Sequence, residues 1–256
     1  MSRFGNLEFG SASEASQKQG TLATDEQYFL SEAQEAFENG RFEHALRAYA
    51  KVLEFNPKSA VAWIGQVRSL LELGETTEAR LWVEKALASF PNEPELLAAK
   101  AVALARLGDL QGALSFSDAA VESQTNTPYI WLARGDVLLA RKEKRAEYCF
   151  EKALALAGQN WLILWLTARV QAYYKHFAKA LKFALEALAL QPGRSIVWLE
   201  AGKCQMQLGL VTQAQNSFEQ ARELDPNCSA QQYLNENAAS GLFEKLAGYC
   251  RHWFHK

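Results

Sequence analysis

The four cysteines and four histidines of this sequence, Cys149, Cys204, Cys228, Cys250, His44, His176, His252 and His255, are the side chains best suited to act as a thiolate nucleophile, a near-neutral general base or a soft metal ligand. No two of the cysteines share the close spacing that builds a zinc site or a redox dithiol, so they read as reduced intracellular thiols. His252 and His255 stand three apart, which two ligands of one metal can do on a helix, yet no third ligand accompanies them. His44 and His176 read as surface side chains beside turns. Phosphate loops, nucleophile elbows and paired metal ligands are all missing from the sequence, so the expectation is a chain that is no enzyme and takes no cofactor or metal. What remains is the chemistry of recognition. Arg68, Asp136, Arg169 and Lys203 interrupt an otherwise apolar pattern, with Tyr129 and Trp165 close by. A guanidinium can hold a carboxylate through two parallel hydrogen bonds, and aromatic and arginine side chains concentrate binding energy at interfaces.

The elements that carry these residues follow from counting. Ala45, Ala79, Ala113, Ala146, Ala180 and Ala214 lie 34, 34, 33, 34 and 34 residues apart, a period that signals a repeat architecture. Val52, Ala86, Ala120, Ala153, Ala187 and Ala221 each follow seven residues later, two helical turns along one face, so both small series belong in close helix packing. Ahead of each alanine stands a large apolar residue, in turn Phe29, Trp63, Leu97, Trp131, Leu164 and Trp198. Gly40, Gly74, Gly108 and Gly209 divide a unit in two, and Pro57, Pro91, Pro192 and Pro226 end it. The pattern predicts first helices near 26–38, 60–73, 94–107, 128–141, 161–174 and 195–208, and second helices near 42–55, 76–89, 110–123, 143–156, 177–190 and 211–224. No strand is expected.

In Trp198, Gly202, Gly209, Ala214, Phe218, Ala221 and Pro226 the chain resembles the tetratricopeptide repeat family in both order and spacing. Six units result: 26–59, 60–93, 94–127, 128–160, 161–194 and 195–228, within a repeat region of 25–228. Thr125 and Gly158 replace the terminal proline, Lys142 and Lys175 replace the turn glycine, and the fourth unit is one residue short, so the region 125–160 should be the least regular. The resemblance implies an all-α fold, a right-handed superhelical solenoid of antiparallel helical hairpins. It also implies that the second face of each first helix lines a concave groove for a peptide or helix of a partner protein. Carried over unit by unit, that face offers Phe37, Ile64, Arg68, Tyr129, Leu132, Asp136, Trp165, Arg169, Leu199, Lys203 and Met206. Some of its leucines stand equally well as core residues between neighbouring hairpins. Leu30, Gln34 and Gly65 occupy positions where family members that clamp chaperone tails use lysine and asparagine, which argues against that role. An apolar groove with isolated cations suits an amphipathic helix or an apolar peptide that carries acidic residues.

The 27 basic and 29 acidic residues give a formal charge of −2 and are spread along the chain, so no field gathers nucleic acid, and none is expected as a partner. Residues 1–24 are rich in Ser, Gln, Gly and Ala and are expected to form a disordered tail. Residues 1–20 lack the basic end and apolar run of a secretory signal, and the expected location is the cytoplasm. Residues 229–241 read as a polar capping helix for the last hairpin, and 242–256 as a short amphipathic helix with Leu242, Leu246, Tyr249 and Trp253 in line. That last helix could fold back on the sixth hairpin, bind a partner or rest on a membrane surface. The leading functional reading is a protein-interaction scaffold or adaptor. The alternatives are a subunit of a membrane-associated, secretion-type or pilus-type assembly attached through that helix, and a regulatory subunit of an enzyme or transcription complex. Self-association through the terminal hairpins is also open.

Overall fold

Helical periodicity broken at regular glycines and prolines gives a succession of helical hairpins. The computed structural model describes residues 19–123, 127–233 and 235. Among them run α1 (Gln19–Glu38), α2 (Phe42–Phe55), α3 (Ala60–Leu73), α4 (Thr76–Ser89), α5 (Pro94–Arg106), α6 (Leu110–Glu122), α7 (Pro128–Ala140), α8 (Ala146–Ala157), α9 (Trp161–Tyr173), α10 (Phe177–Leu190), α11 (Ser195–Gln207) and α12 (Val211–Leu224). No strand occurs among the described residues. The helices expected from the repeat are all present, and most limits agree to within a residue. The expected disordered tail up to residue 18, residues 236–241 of the expected cap and the expected final helix lie outside the described residues.

Two limits differ. The first helix begins at Gln19 and not near 26, taking in residues 19–24 of the expected tail. The helix α8 begins at Ala146 and not near 143. There the Glu143 carboxylate receives hydrogen bonds from Arg141 and Arg145 on either side. These bonds hold its carboxyl below the ordinary carboxylate range and give over the first expected turn of α8 to the connection.

The chain divides into two compact units, residues 1–163 and 164–256. In the first, every helix from α1 to α7 packs on its successor and α7 on α8. The first helices of consecutive hairpins also pack on one another, α1 on α3, α3 on α5 and α5 on α7. In the second unit α10 packs on α11 and α11 on α12. Both small-residue series sit where the period puts them: Ala45, Ala79, Ala113, Ala180 and Ala214 are fully buried and Ala146 is 1% exposed, with Val52, Ala86, Ala120, Ala153, Ala187 and Ala221 equally enclosed. Burying this much apolar surface at shared hairpin flanks is the main force holding such a stack together.

The connections explain the remaining sequence signals. Gly40, Gly74, Gly108 and Gly209 take positive φ, the left-handed backbone that ends a helix within one residue. Lys142 and Lys175 adopt the same conformation, at φ 59° and 61°, where a side chain costs about 1–2 kcal/mol relative to glycine. Between hairpins, the Trp63 indole Nε1 donates to the Pro57 carbonyl oxygen at 3.0 Å, and Trp198 does the same to Pro192 at 2.8 Å. The large residue opening a first helix therefore also fastens the turn that precedes it. At the end of the second unit, Tyr233 stacks on Phe218 with ring centroids 5.4 Å apart, and Ala230 is fully buried against the same cluster.

Candidate functional site

The helix α3 is capped at its start by the Ser59 hydroxyl, which accepts from the Ala62 N–H, and at its end by Gly74. It faces its apolar side into the stack and leaves Val61, Ile64 and Arg68 along a second face, three and four residues apart as one helical stripe requires. Phe37 comes from the last turn of α1 and Tyr129 from the first turn of α7. The α1–α3–α5–α7 layer brings these rings to Arg68, whose guanidinium carbon lies 5.1 Å from the Phe37 centroid and 4.1 Å from the Tyr129 centroid. Both arrangements are cation–π contacts. Arg68 makes no hydrogen bond and no ion pair with the described residues. Its ring contacts leave the N–H donors at the edge of the guanidinium without an acceptor.

Arg68 lies in a cleft of about 380 Å³ whose walls include Gln34, Val61, Ile64, Glu95 and Leu162. Its floor is formed by Tyr49 of α2, whose ring fills the space above Gly65 where any side chain would clash. Burial pushes the Tyr49 hydroxyl up to about 12, partly opposed by the nearby Arg68 charge. Burial also raises the pKa of Tyr129, again against the opposing charge of Arg68. Phe37 and Tyr129 are 6% and 9% exposed, so most of each ring is covered and they serve as walls around the cation more than as open contact surfaces. Ile64 is half-buried and faces the cleft.

Asp136 and Leu132, expected on the same surface, are 1% and 3% exposed. Asp136 Oδ2 accepts from Arg106 Nη2 at 2.7 Å, and Arg106 Nη1 donates to the Leu71 carbonyl oxygen at 2.9 Å. A single arginine of α5 thus ties the end of α3 to the middle of α7. The carboxylate expected to face a ligand is engaged as a strut.

In the second unit Trp165 is fully buried and Leu199 is 3% exposed. Arg169 lies 5.4 Å over the Trp165 ring and pairs with Glu200 at 3.4 Å. Lys203 sits over the Tyr233 ring at 5.0 Å. Lys203 and Met206 line a second cleft of about 410 Å³ together with Tyr173, Phe177 and Tyr233. The expected residues thus gather in two places, Phe37, Ile64, Arg68 and Tyr129 in one and Lys203 and Met206 in the other.

Sequence reasoning missed Arg106 and Tyr49, and named Gly65 only as a position lacking a clamp side chain. Arg106 stands off the predicted face, and its one signal is that it is the arginine ending the alanine-rich stretch PELLAAKAVALAR. Tyr49 belongs to a second helix, the wrong layer by the resemblance, although a tyrosine four residues after Ala45 aligns with Phe150 and Phe218. Among the described residues no group of three His, Cys, Asp or Glu side chains could hold a metal ion. No described helix is long and apolar enough to cross a membrane.

Comparison with known proteins returns the same repeat. A comparison with curated protein sequences finds no match. Among solved structures, TTC0263, a thermophilic TPR protein of Thermus thermophilus, is 24% identical over 71% of this chain and 99% of its own, with a TM-score of 0.54. YrrB, described as a TPR protein with an unusual peptide-binding site, is 16% identical over 75% of this chain and 99% of its own, with a TM-score of 0.43. PilW, a type IV pilus biogenesis factor, is 18% identical over 84% and 99%, with a TM-score of 0.49. The likeness to TTC0263 is one of fold. Family models described as tetratricopeptide repeat match residues 30–94 and 83–129, and a further one matches 172–236, together more than half of the chain. With the alanine period and the stacked hairpins agreeing, the chain belongs to the tetratricopeptide repeat family.

Proposed function

We propose that the chain is a protein-interaction scaffold that holds a segment of a partner protein against its first-helix face and works by binding alone. The observation that supports this best is the cleft of the first unit, where an apolar wall from Val61, Ile64 and Leu162 meets a guanidinium that forms no ion pair with the described residues. Such a surface gives a guest both buried area and one directional contact, the combination that concentrates affinity in a few residues. Its walls come from packed helices, so little ordering entropy is lost on binding. The site has no arrangement of nucleophile, base and orienting group, and recognition is the chemistry it offers.

The test is affinity capture from cell extract with the full chain and with Ile64→Glu, which places a charge in the apolar wall. Specific proteins retained by the parent should be lost from the variant, while circular dichroism confirms that both are equally helical. Identical captured sets would move the binding surface away from this cleft.

A further inference from the structure

The chemistry of the guest can be read one step further from Arg68, an inference that rests on the scaffold reading above. Most guanidinium groups in folded proteins that are not fully solvated face a carboxylate or a carbonyl, as Arg106, Arg134 and Arg169 do in this chain. Arg68 has two aromatic rings in its place. The rings hold the cation in place and shield it from water, so a salt bridge formed there is stronger than one on an open surface. The donors at the guanidinium edge are arranged as a planar fork that matches an acceptor with two oxygens.

Two such acceptors are common on proteins, the carboxylate and the phosphate. Glu95 lines the same cleft, and Glu38 lines it on the other side. Two carboxylates beside one guanidinium repel a dianion more strongly than a monoanion, which favours the carboxylate. The apolar wall one and two helical turns away, at Ile64 and Val61, asks for an apolar side chain next to it. We infer that the cleft of the first unit takes a peptide segment that places an aspartate or glutamate side chain on Arg68 and an apolar side chain against Ile64 and Val61. Glu95 makes no ion pair with the described residues and stands as a like charge in the cleft that repels the acidic side chain of such a segment.

The test pans a phage-displayed library of random short peptides against the full chain, then measures the best peptides by isothermal titration. The expected winners carry an acidic residue adjacent to an apolar one. Replacing that residue by its amide should weaken binding by about ten- to a hundredfold, the factor for losing a charge-assisted pair. Arg68→Gln should cost the same, and the two changes together should cost no more than either alone. Glu95→Gln should tighten binding of the acidic peptide and leave its amide version unchanged. A phosphoserine version that binds more tightly than the acidic peptide overturns the choice of carboxylate. Peptides that compete at Ile64 but show no acidic preference, or that tolerate Arg68→Gln, overturn the inference and leave the scaffold reading standing. A library that yields no peptide sensitive to Ile64→Glu removes both.

Discussion

Replacing Asp136 by alanine should destabilise the first unit severely, and the structure sets the amount. The Arg106 and Asp136 side chains are 7% and 2% exposed and meet at 2.7 Å. Removing one member of a buried pair leaves the other desolvated without its counter-charge, which typically costs about 3–5 kcal/mol. Arg106 keeps its bond to the Leu71 carbonyl, so the lower part of that range, about 3 kcal/mol, is the expectation. Replacing both residues, Arg106→Met with Asp136→Leu, removes the charge problem altogether. That variant should fall within about 1 kcal/mol of the parent, because an apolar pair of similar volume often does as well as a buried ion pair. The assay is urea denaturation followed by circular dichroism, with the midpoint and slope compared among parent, single and double variants. Unequal slopes would mean that the hairpins no longer unfold together. The reasoning is refuted if Asp136→Ala costs less than about 1 kcal/mol, or if the double variant is as unstable as the single one.

Lys142→Gly and Lys175→Gly should each stabilise the chain by about 0.5–1 kcal/mol, the relief of a left-handed side-chain position less the added freedom of the unfolded chain; thermal unfolding checks this, and a loss of stability would contradict it. Gly202→Ala drives a methyl into the Phe218 ring, and the cost of overpacking, about 1–3 kcal/mol, should outweigh the gain of about 1 kcal/mol in helix propensity, with Phe218→Leu recovering part of the loss. Burial raises the Cys204 thiol to about 12 and also raises Cys149, so iodoacetamide at about pH 8 should modify Cys228 well before either, as peptide mass mapping would show. Cys204 at about 12 and Tyr49 at about 12 both lie above their ordinary values of 9.0 and 10.0. Their contribution to stability is therefore complete below about pH 9 and lost as pH rises towards about 12, because the unfolded chain releases these protons first. An alkaline titration of the denaturation midpoint should fall across that window, and Cys204→Ala should flatten its lower part.

The fold was legible because it depends on spacing. An alanine every 34 residues or so marks where helices approach closely, and the helix limits follow from the punctuation around it, down to α3, α4 and α10. The start of α8 moved for a local reason that the period does not contain, the clasp of Arg141 and Arg145 on Glu143. The site was legible only in part. Arg68, Phe37 and Tyr129 are neighbours in the structure, but their roles relative to one another depend on contacts between residues 31 and 61 positions apart in the chain, which no single helix encodes. Asp136 and Arg169 occupy equivalent positions to Arg68, each a charged residue in an apolar stripe. What separates them is whether a partner such as Arg106 or Glu200 stands within reach, and that is set by neighbouring hairpins.

The Arg68 cage draws on hairpins that are not consecutive: Phe37 belongs to the first, Arg68 to the second and Tyr129 to the fourth. During synthesis the first two hairpins can emerge and pair while Arg68 has only one of its rings. The second arrives only after the whole third hairpin and the opening turn of the fourth have left the ribosome. A nascent or truncated chain ending before Tyr129 would carry helices, a core and the cation itself, yet lack the finished clamp. On the proposed reading, the ring pair around Arg68 is complete only once Tyr129 has emerged and the Leu162 wall of the cleft follows later still, so a fragment of three hairpins would carry the cation without its full surroundings.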